Sequence, residues 1–133
     1  MIIEQSVYIN ASPEKVWRVF IEPEITRQMG GEYVSDWKAD SFIGWKGNNG
    51  ALYTHGKILD IRTEELLKHQ LFDGKEAKAV LSIITYTLEN NEGNTVLKGV
   101  EELSKPLGEN ERRGVVSAWE SALNAVKRIA ENL

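Results

Sequence analysis

Residues 113–133 read RGVVSAWESALNAVKRIAENL. Within them Val116, Trp119, Leu123, Val126, Ala130 and Leu133 recur three or four residues apart, the spacing that puts side chains on one face of a helix. A helix of about 20 residues is roughly 30 Å long. Ahead of it the chain runs in short apolar–polar alternations broken by turn residues, the pattern of half-buried strands. One long helix after a run of antiparallel strands must bury its apolar stripe against that sheet, so the sheet is expected to curve around the helix. Between the two lies either a cavity or a filled core, and Trp119, at the midpoint of the stripe, bears directly on which.

The same reading extends outward along the chain. Ile3, Val7 and Ile9 alternate with polar residues in a first strand. Ser12 reads as an N-cap and Pro13 as the first helical residue, with Val16, Trp17, Phe20 and Ile21 on an apolar face. Pro23 stops that helix and starts a second over 24–29, ended by Gly30-Gly31. Tyr33, Trp37, Phe42, Ile43 and Trp45 follow in one or two strands, broken near Ala39-Asp40-Ser41. Turns at Gly47-Asn48-Asn49-Gly50, Arg62-Thr63-Glu64, Asp73-Gly74-Lys75 and 90–94 separate strands over 52–61, 66–72, 79–88 and 95–103. Gly56 marks a bulge or a tight curve, and Asn110 caps the final helix. The expected architecture is α+β: a curved antiparallel sheet of about six strands wrapped around a long C-terminal helix, with two short helices after the first strand.

A chain of 133 residues suits one domain, 1–133, with one main core. Such a domain buries roughly 65% of its extended-chain surface and needs no disulfide staple. The absence of cysteine fits a reducing cytosol. Sixteen basic residues interspersed among twenty acidic ones, for a net charge of −4, argue against a dedicated nucleic-acid or anionic-membrane binder. No apolar run approaches the ~20 residues of a membrane span. The opening MIIEQSVYIN carries Glu4 and no basic leader, which argues against a secretory signal. A cytoplasmic location is expected.

Few residues suggest chemistry. His55 and His69, without cysteine, do not make a structural zinc site, and no H-E-x-x-H spacing exists. No metal or cofactor is expected. His69 reads either as a hydrogen-bonded core residue or as a ligand or proton-transfer group; a buried neutral histidine is cheap only if both ring nitrogens find partners. Glu101 shares a strand face with Leu97 and Gly99. On an inner face it would look into the cavity as an acid or ligand anchor; at the sheet edge it would be solvated or paired with a lysine. Trp17, Trp37, Trp45, Tyr53, Tyr86 and Trp119 supply apolar area with a polar handle and serve a pocket or a core equally. Trp45, beside the 47–50 turn, is placed at a cavity mouth. There is no Gly-x-Ser-x-Gly elbow, P-loop, dinucleotide fingerprint or recognisable triad.

The order of these features resembles the START-like, helix-grip proteins. Within them the chain is most similar to the bacterial proteins akin to the carboxy-terminal domain of the activator of the heat-shock-protein ATPase. The likeness is carried by the run Val7-Tyr8-Ile9-Asn10-Ala11-Ser12-Pro13-Glu14-Lys15-Val16-Trp17 with Phe20 and Pro23-Glu24. Phe42-Ile43-Gly44-Trp45 before Gly50, Gly56-Lys57-Ile58-Leu59-Asp60-Ile61 and Ile84-Thr85-Tyr86-Thr87-Leu88 continue it. Gly93-Asn94-Thr95-Val96-Leu97 and Trp119 with Leu123 complete it. Each motif is mainly a packing or turn signal; their order is the specific part, and it covers nearly the whole chain. Glu101-Glu102 stands where many relatives carry a histidine. In the register the resemblance implies, Leu67, His69 and Leu71 face the helix and His55 faces outward.

Three functions follow as expectations. The first is non-catalytic binding of a small apolar or amphipathic molecule in a cavity lined by Trp17, Leu67, His69, Tyr86, Glu101, Trp119 and Leu123. The second, implied by the resemblance, is binding a chaperone and stimulating its ATPase. The third is a cyclase- or hydrolase-like activity, which would need at least two convergent ionisable groups in the cavity. The protein is expected to be a monomer or a weak homodimer.

Overall fold

A computed structural model describes residues 1–72 and 79–133; the Asp73-Gly74-Lys75 turn lies outside the described residues. The first strand, β1 (Ile2–Ile9), leads into α1 (Pro13–Ile21). Ser12 caps α1 through a bond from the Lys15 N–H to its Oγ at 3.4 Å, with Pro13 in the first turn. Pro23 opens α2 (Pro23–Thr26), which tightens into a single 3-10 turn at Arg27–Met29 and ends at left-handed Gly30. Six more strands follow: β2 (Gly31–Ser35), β3 (Phe42–Gly47), β4 (Leu52–Arg62), β5 (Leu66–Phe72), β6 (Val80–Asn91) and β7 (Asn94–Leu103). The long helix α3 (Glu109–Glu131) comes last.

The seven strands form one antiparallel sheet in the order β1-β7-β6-β5-β4-β3-β2. The stretch at 32–46, read as one or two strands, forms two, β2 and β3, which brings the expected sheet of about six strands to seven. The first strand closes the sheet against the last, Ile9 opposite Thr95 and Ile2 opposite Glu102. The β6–β7 hairpin turns on Glu92 and Gly93, both with positive φ, the geometry that matches strand twist in a two-residue loop. The register of β4 shifts between Ile58 and Asp60 against β5 and opposite Trp45 and Lys46 against β3, not at Gly56. Gly56 has a different role: a Cβ there would lie 1.7 Å from the Gln70 carbonyl oxygen, so the neighbouring strand runs hard against it.

The core lies between the inner sheet face and the helices. Along β6, Ser82, Ile84 and Leu88 point inward with Tyr86 beside them, and along β7 Thr95, Leu97 and Gly99 do the same. In α3 the buried residues are Trp119, Leu123, Val126, Ile129 and Ala130. Leu133 lies beyond the helix end and is exposed; Ile129 takes the place expected for it in the stripe. The helix starts earlier than expected, with Gly108 rather than Asn110 at the cap. The Glu111 carboxylate reaches back to the Gly108 N–H at 3.4 Å. Among the described residues no helix is long and apolar enough to cross a membrane.

Candidate functional site

The packing of α3 determines where space remains. Its C-terminal half packs chiefly against β1 and α1. Lys127 Nζ donates to the Tyr8 carbonyl at 2.9 Å, and the Asn10 N–H donates to Glu131 at 2.8 Å. Tied at that end, the helix sets half-buried Ala122 and Ala125 over the middle of the sheet, with exposed Ser121 beside them. Those small side chains do not reach it. A cavity of about 370 Å³ remains, walled by Phe20 of α1, Met29 of the 3-10 turn, Tyr33 of β2, Tyr86 of β6 and Leu123 and Val126 of α3. Ser121 is exposed, so the cavity reaches the surface, and partly exposed Trp45 of β3 stands in its wall.

A second cavity of about 360 Å³, more open to solvent than the first, lies along the first half of α3. Its walls include Leu71, Ile84, Glu101, Val115, Ala118 and Trp119. Tyr86 and Ala122 line both spaces and mark where they adjoin. A chain of rings runs beside them. Trp45 meets Tyr33 edge-on at 5.0 Å, Tyr33 stacks on Phe20 at 6.4 Å, Phe20 tilts on Tyr86 at 4.9 Å, and Tyr86 tilts on Trp119 at 5.5 Å.

Glu101 is the anchored polar group. Its Oε1 accepts from Trp119 Nε1 at 3.0 Å and its Oε2 accepts from Ser82 Oγ at 2.8 Å. The carboxylate therefore lies on the inner face, half-buried, rather than solvated at the edge. Gly99 makes this arrangement fit. A Cβ at Gly99 would come within 2.1 Å of the Trp119 ring, so the indole lies directly against bare backbone with its N–H turned to Glu101. The two tyrosines provide hydroxyls deep between helix and sheet. Burial raises the pKa of both. For Tyr86 the neighbouring Tyr33 and the Glu101 carboxylate add to the effect, and the phenol is pushed well above its ordinary range.

The other expected site residues fall elsewhere. Trp17 and Leu67 are packed in the core, 4% and 1% exposed, and line neither cavity. His69 faces inward as the register implied, but it sits behind Tyr86 with ring centroids 6.5 Å apart, outside both cavities. Among the described residues neither ring nitrogen has a hydrogen-bond partner. Burial lowers its pKa to about 4, opposed only by the nearby Gln70 backbone, so it is a neutral core residue. His55 is on the other face, stacked on Phe42 at 6.4 Å and edge-on to Phe72 at 5.7 Å. Tyr86, Glu101, Trp119, Leu123 and Trp45 are brought together around the two spaces.

Several lining residues carried no signal of their own in the sequence. Phe20 and Tyr33 read as core or strand residues, and Ala122 and Ala125 as filler in a helix. Ser82 shares the inner face of β6 with Ile84 and Tyr86, and that alternation is the one cue that could have paired it with Glu101.

No curated protein sequence matches the chain. Several solved structures match it over nearly their whole length. A protein from Mesorhizobium loti superposes with a TM-score of 0.82 at 14% identity, with 99% of this chain and 98% of that one covered. A protein from Cytophaga hutchinsonii does so at 0.79 and 28% identity, covering 99% and 94%. The Aha1 dimer from Colwellia psychrerythraea gives 0.80 at 17% identity, covering 98% and 96%. The family model for the activator of Hsp90 ATPase homolog 1-like proteins matches residues 10–131. With the gripped helix, the seven-stranded sheet and that match in place, the chain belongs to the activator of Hsp90 ATPase homolog 1-like family, within the START-like, helix-grip fold.

Proposed function

We propose that this protein binds a small apolar or amphipathic molecule between α3 and the sheet, without transforming it. The supporting observation is the cavity of about 370 Å³, walled by Phe20, Met29, Leu123 and Val126 and carrying the Tyr33 and Tyr86 side chains. That volume falls in the range of small-molecule sites, as does the combination of apolar walls with a few convergent polar groups. Apolar contact supplies most of the affinity, at ~25 cal/mol per Å² before the costs of association. A cyclase- or hydrolase-like role calls for two convergent ionisable groups poised near neutral pH. Glu101 sits in the second cavity, His69 is shielded behind Tyr86, and the tyrosine pKa values are raised, which favours binding over catalysis. A cysteine-free chain suits a cytosolic setting.

Native mass spectrometry of freshly purified protein tests this reading, together with titration by octanol as an apolar probe. The expected result is a co-purified organic adduct or saturable octanol binding, both lost in Ala122→Phe, which fills the junction of the two cavities. An adduct-free wild type that binds octanol no better than Ala122→Phe would end it. The same spectra report whether the protein is a monomer or a weak homodimer.

Family membership also favours a second reading, contact with a chaperone. Phe42, Leu52 and Tyr53 are exposed on β3 and β4 and offer apolar surface for it. A pull-down and an ATPase assay with the host's own chaperone decide this; an unchanged rate and no complex remove it.

A further inference from the structure

We infer that the second cavity is the subsite for a cationic head group, so that the ligand is an amphipathic amine whose apolar body occupies the first cavity. This rests on the ligand-binding reading above and adds the ligand's chemical class. Glu101 carries the inference. Its oxygens are held by two neutral donors, Trp119 Nε1 and Ser82 Oγ. Among the described residues no lysine, arginine or histidine pairs with it, although eight other ion pairs form on the same molecule. A carboxylate half-withdrawn from water without a counter-charge is costly unless something compensates it. The two neutral bonds fix its orientation and leave each oxygen a free lone pair.

The surroundings suit a cation in particular. Tyr86 and Trp119, 5.5 Å apart, flank the carboxylate and line the same cavity. Aromatic faces attract an ammonium group through their quadrupoles, and more strongly when it is desolvated. Leu71, Ile84 and Val115 complete the wall and bring no positive charge of their own. An anionic head would meet Glu101 directly, and a neutral head would leave its charge uncompensated. The two cavities adjoin at Tyr86 and Ala122, so one molecule can occupy both, with its chain against Phe20 and Leu123 and its amine against Glu101.

The test uses three probes with the same chain, octylamine, octanol and octanoate, measured by calorimetry at neutral pH on wild type and Glu101→Gln. Octylamine is expected to bind about tenfold more tightly than octanol, the worth of a charge-assisted hydrogen bond, and octanoate more weakly than either. Glu101→Gln is expected to abolish the preference, so that the variant binds octylamine no more tightly than it binds octanol. The wild-type ranking alone is decisive should that variant fold poorly. Equal binding of octylamine and octanol, or tighter binding of octanoate, overturns the cationic subsite and leaves the ligand-binding reading intact. Absence of binding by all three overturns both.

Discussion

His69 is a buried histidine with no hydrogen bond at either nitrogen among the described residues. Its pKa of about 4 in the fold lies below the ordinary 6.5, so as pH falls the unfolded chain takes up the proton first. The contribution to stability is therefore complete above about pH 6.5, declines toward pH 4, and levels off below that; its size is about 3 kcal/mol. His69→Leu should remove that acid limb and also relieve an unsatisfied polar group, a gain of about 1 kcal/mol or more at pH 7. Urea unfolding of both proteins at pH 7 and pH 5 checks it: the gap between variant and wild type must widen at pH 5. At Gly99 the constraint is steric. A methyl group there displaces the Trp119 ring and breaks its bond to Glu101, so Gly99→Ala should cost about 1–3 kcal/mol and change the near-ultraviolet dichroism of tryptophan. Glu101 was visible in the sequence only as one of two alternatives, an acid on an inner strand face or a solvated or lysine-paired residue at the sheet edge. Its partners were not, because Trp119 and Ser82 are brought to it by the crossing of α3 over the sheet, which no local pattern encodes.

At the scale of elements, the α1–α2 junction shapes the first cavity. Thr26, 1% exposed, lies in that cavity's wall, and its hydroxyl donates toward the carbonyls at the end of α1, including Glu22 at 2.9 Å. Thr26→Val keeps the shape and removes the donor. It should cost about 1–3 kcal/mol and speed amide exchange in α2 while leaving β6 and β7 unchanged. Elements were the most legible level in the sequence. Ser12-Pro13, the Pro23 restart and the 3.6-residue stripe each encode a local event, and the structure contains all three. The expected stripe drifted at its end because residues 130 and 133 both fit the helical period, but only packing shows that the chain has left the helix by Leu133. The cavity was illegible for the opposite reason. Sequence reading looks for large residues to line a space, and this space exists because Ala122 and Ala125 are small.

At the scale of the whole molecule, ligand binding is linked to stability. A ligand at a hundred times its dissociation constant adds about 2.7 kcal/mol, which for a chain of this length raises Tm by roughly 10 °C. Octanol or octylamine at saturation should produce that shift in wild type and not in Ala122→Phe. The variant's own Tm, with the void filled, should not fall far below that of the wild type. A rise of the same size in both proteins would mean the probe binds somewhere else. Charge offers little guidance at this scale, since −4 spread over mixed signs selects no partner; the informative charge is the single carboxylate under α3.

The pairing of β1 with β7 has a further consequence, for the order in which the molecule is made. Ile9 waits for Thr95 and Ile2 for Glu102, and α3, which anchors to Tyr8 and Asn10, is later still. During synthesis, at about 5–20 residues per second, the first strand therefore spends several seconds without its sheet partner. Contacts this distant in sequence slow folding. A factor that holds the nascent amino-terminal strand would act on this protein before β7 and α3 have been made.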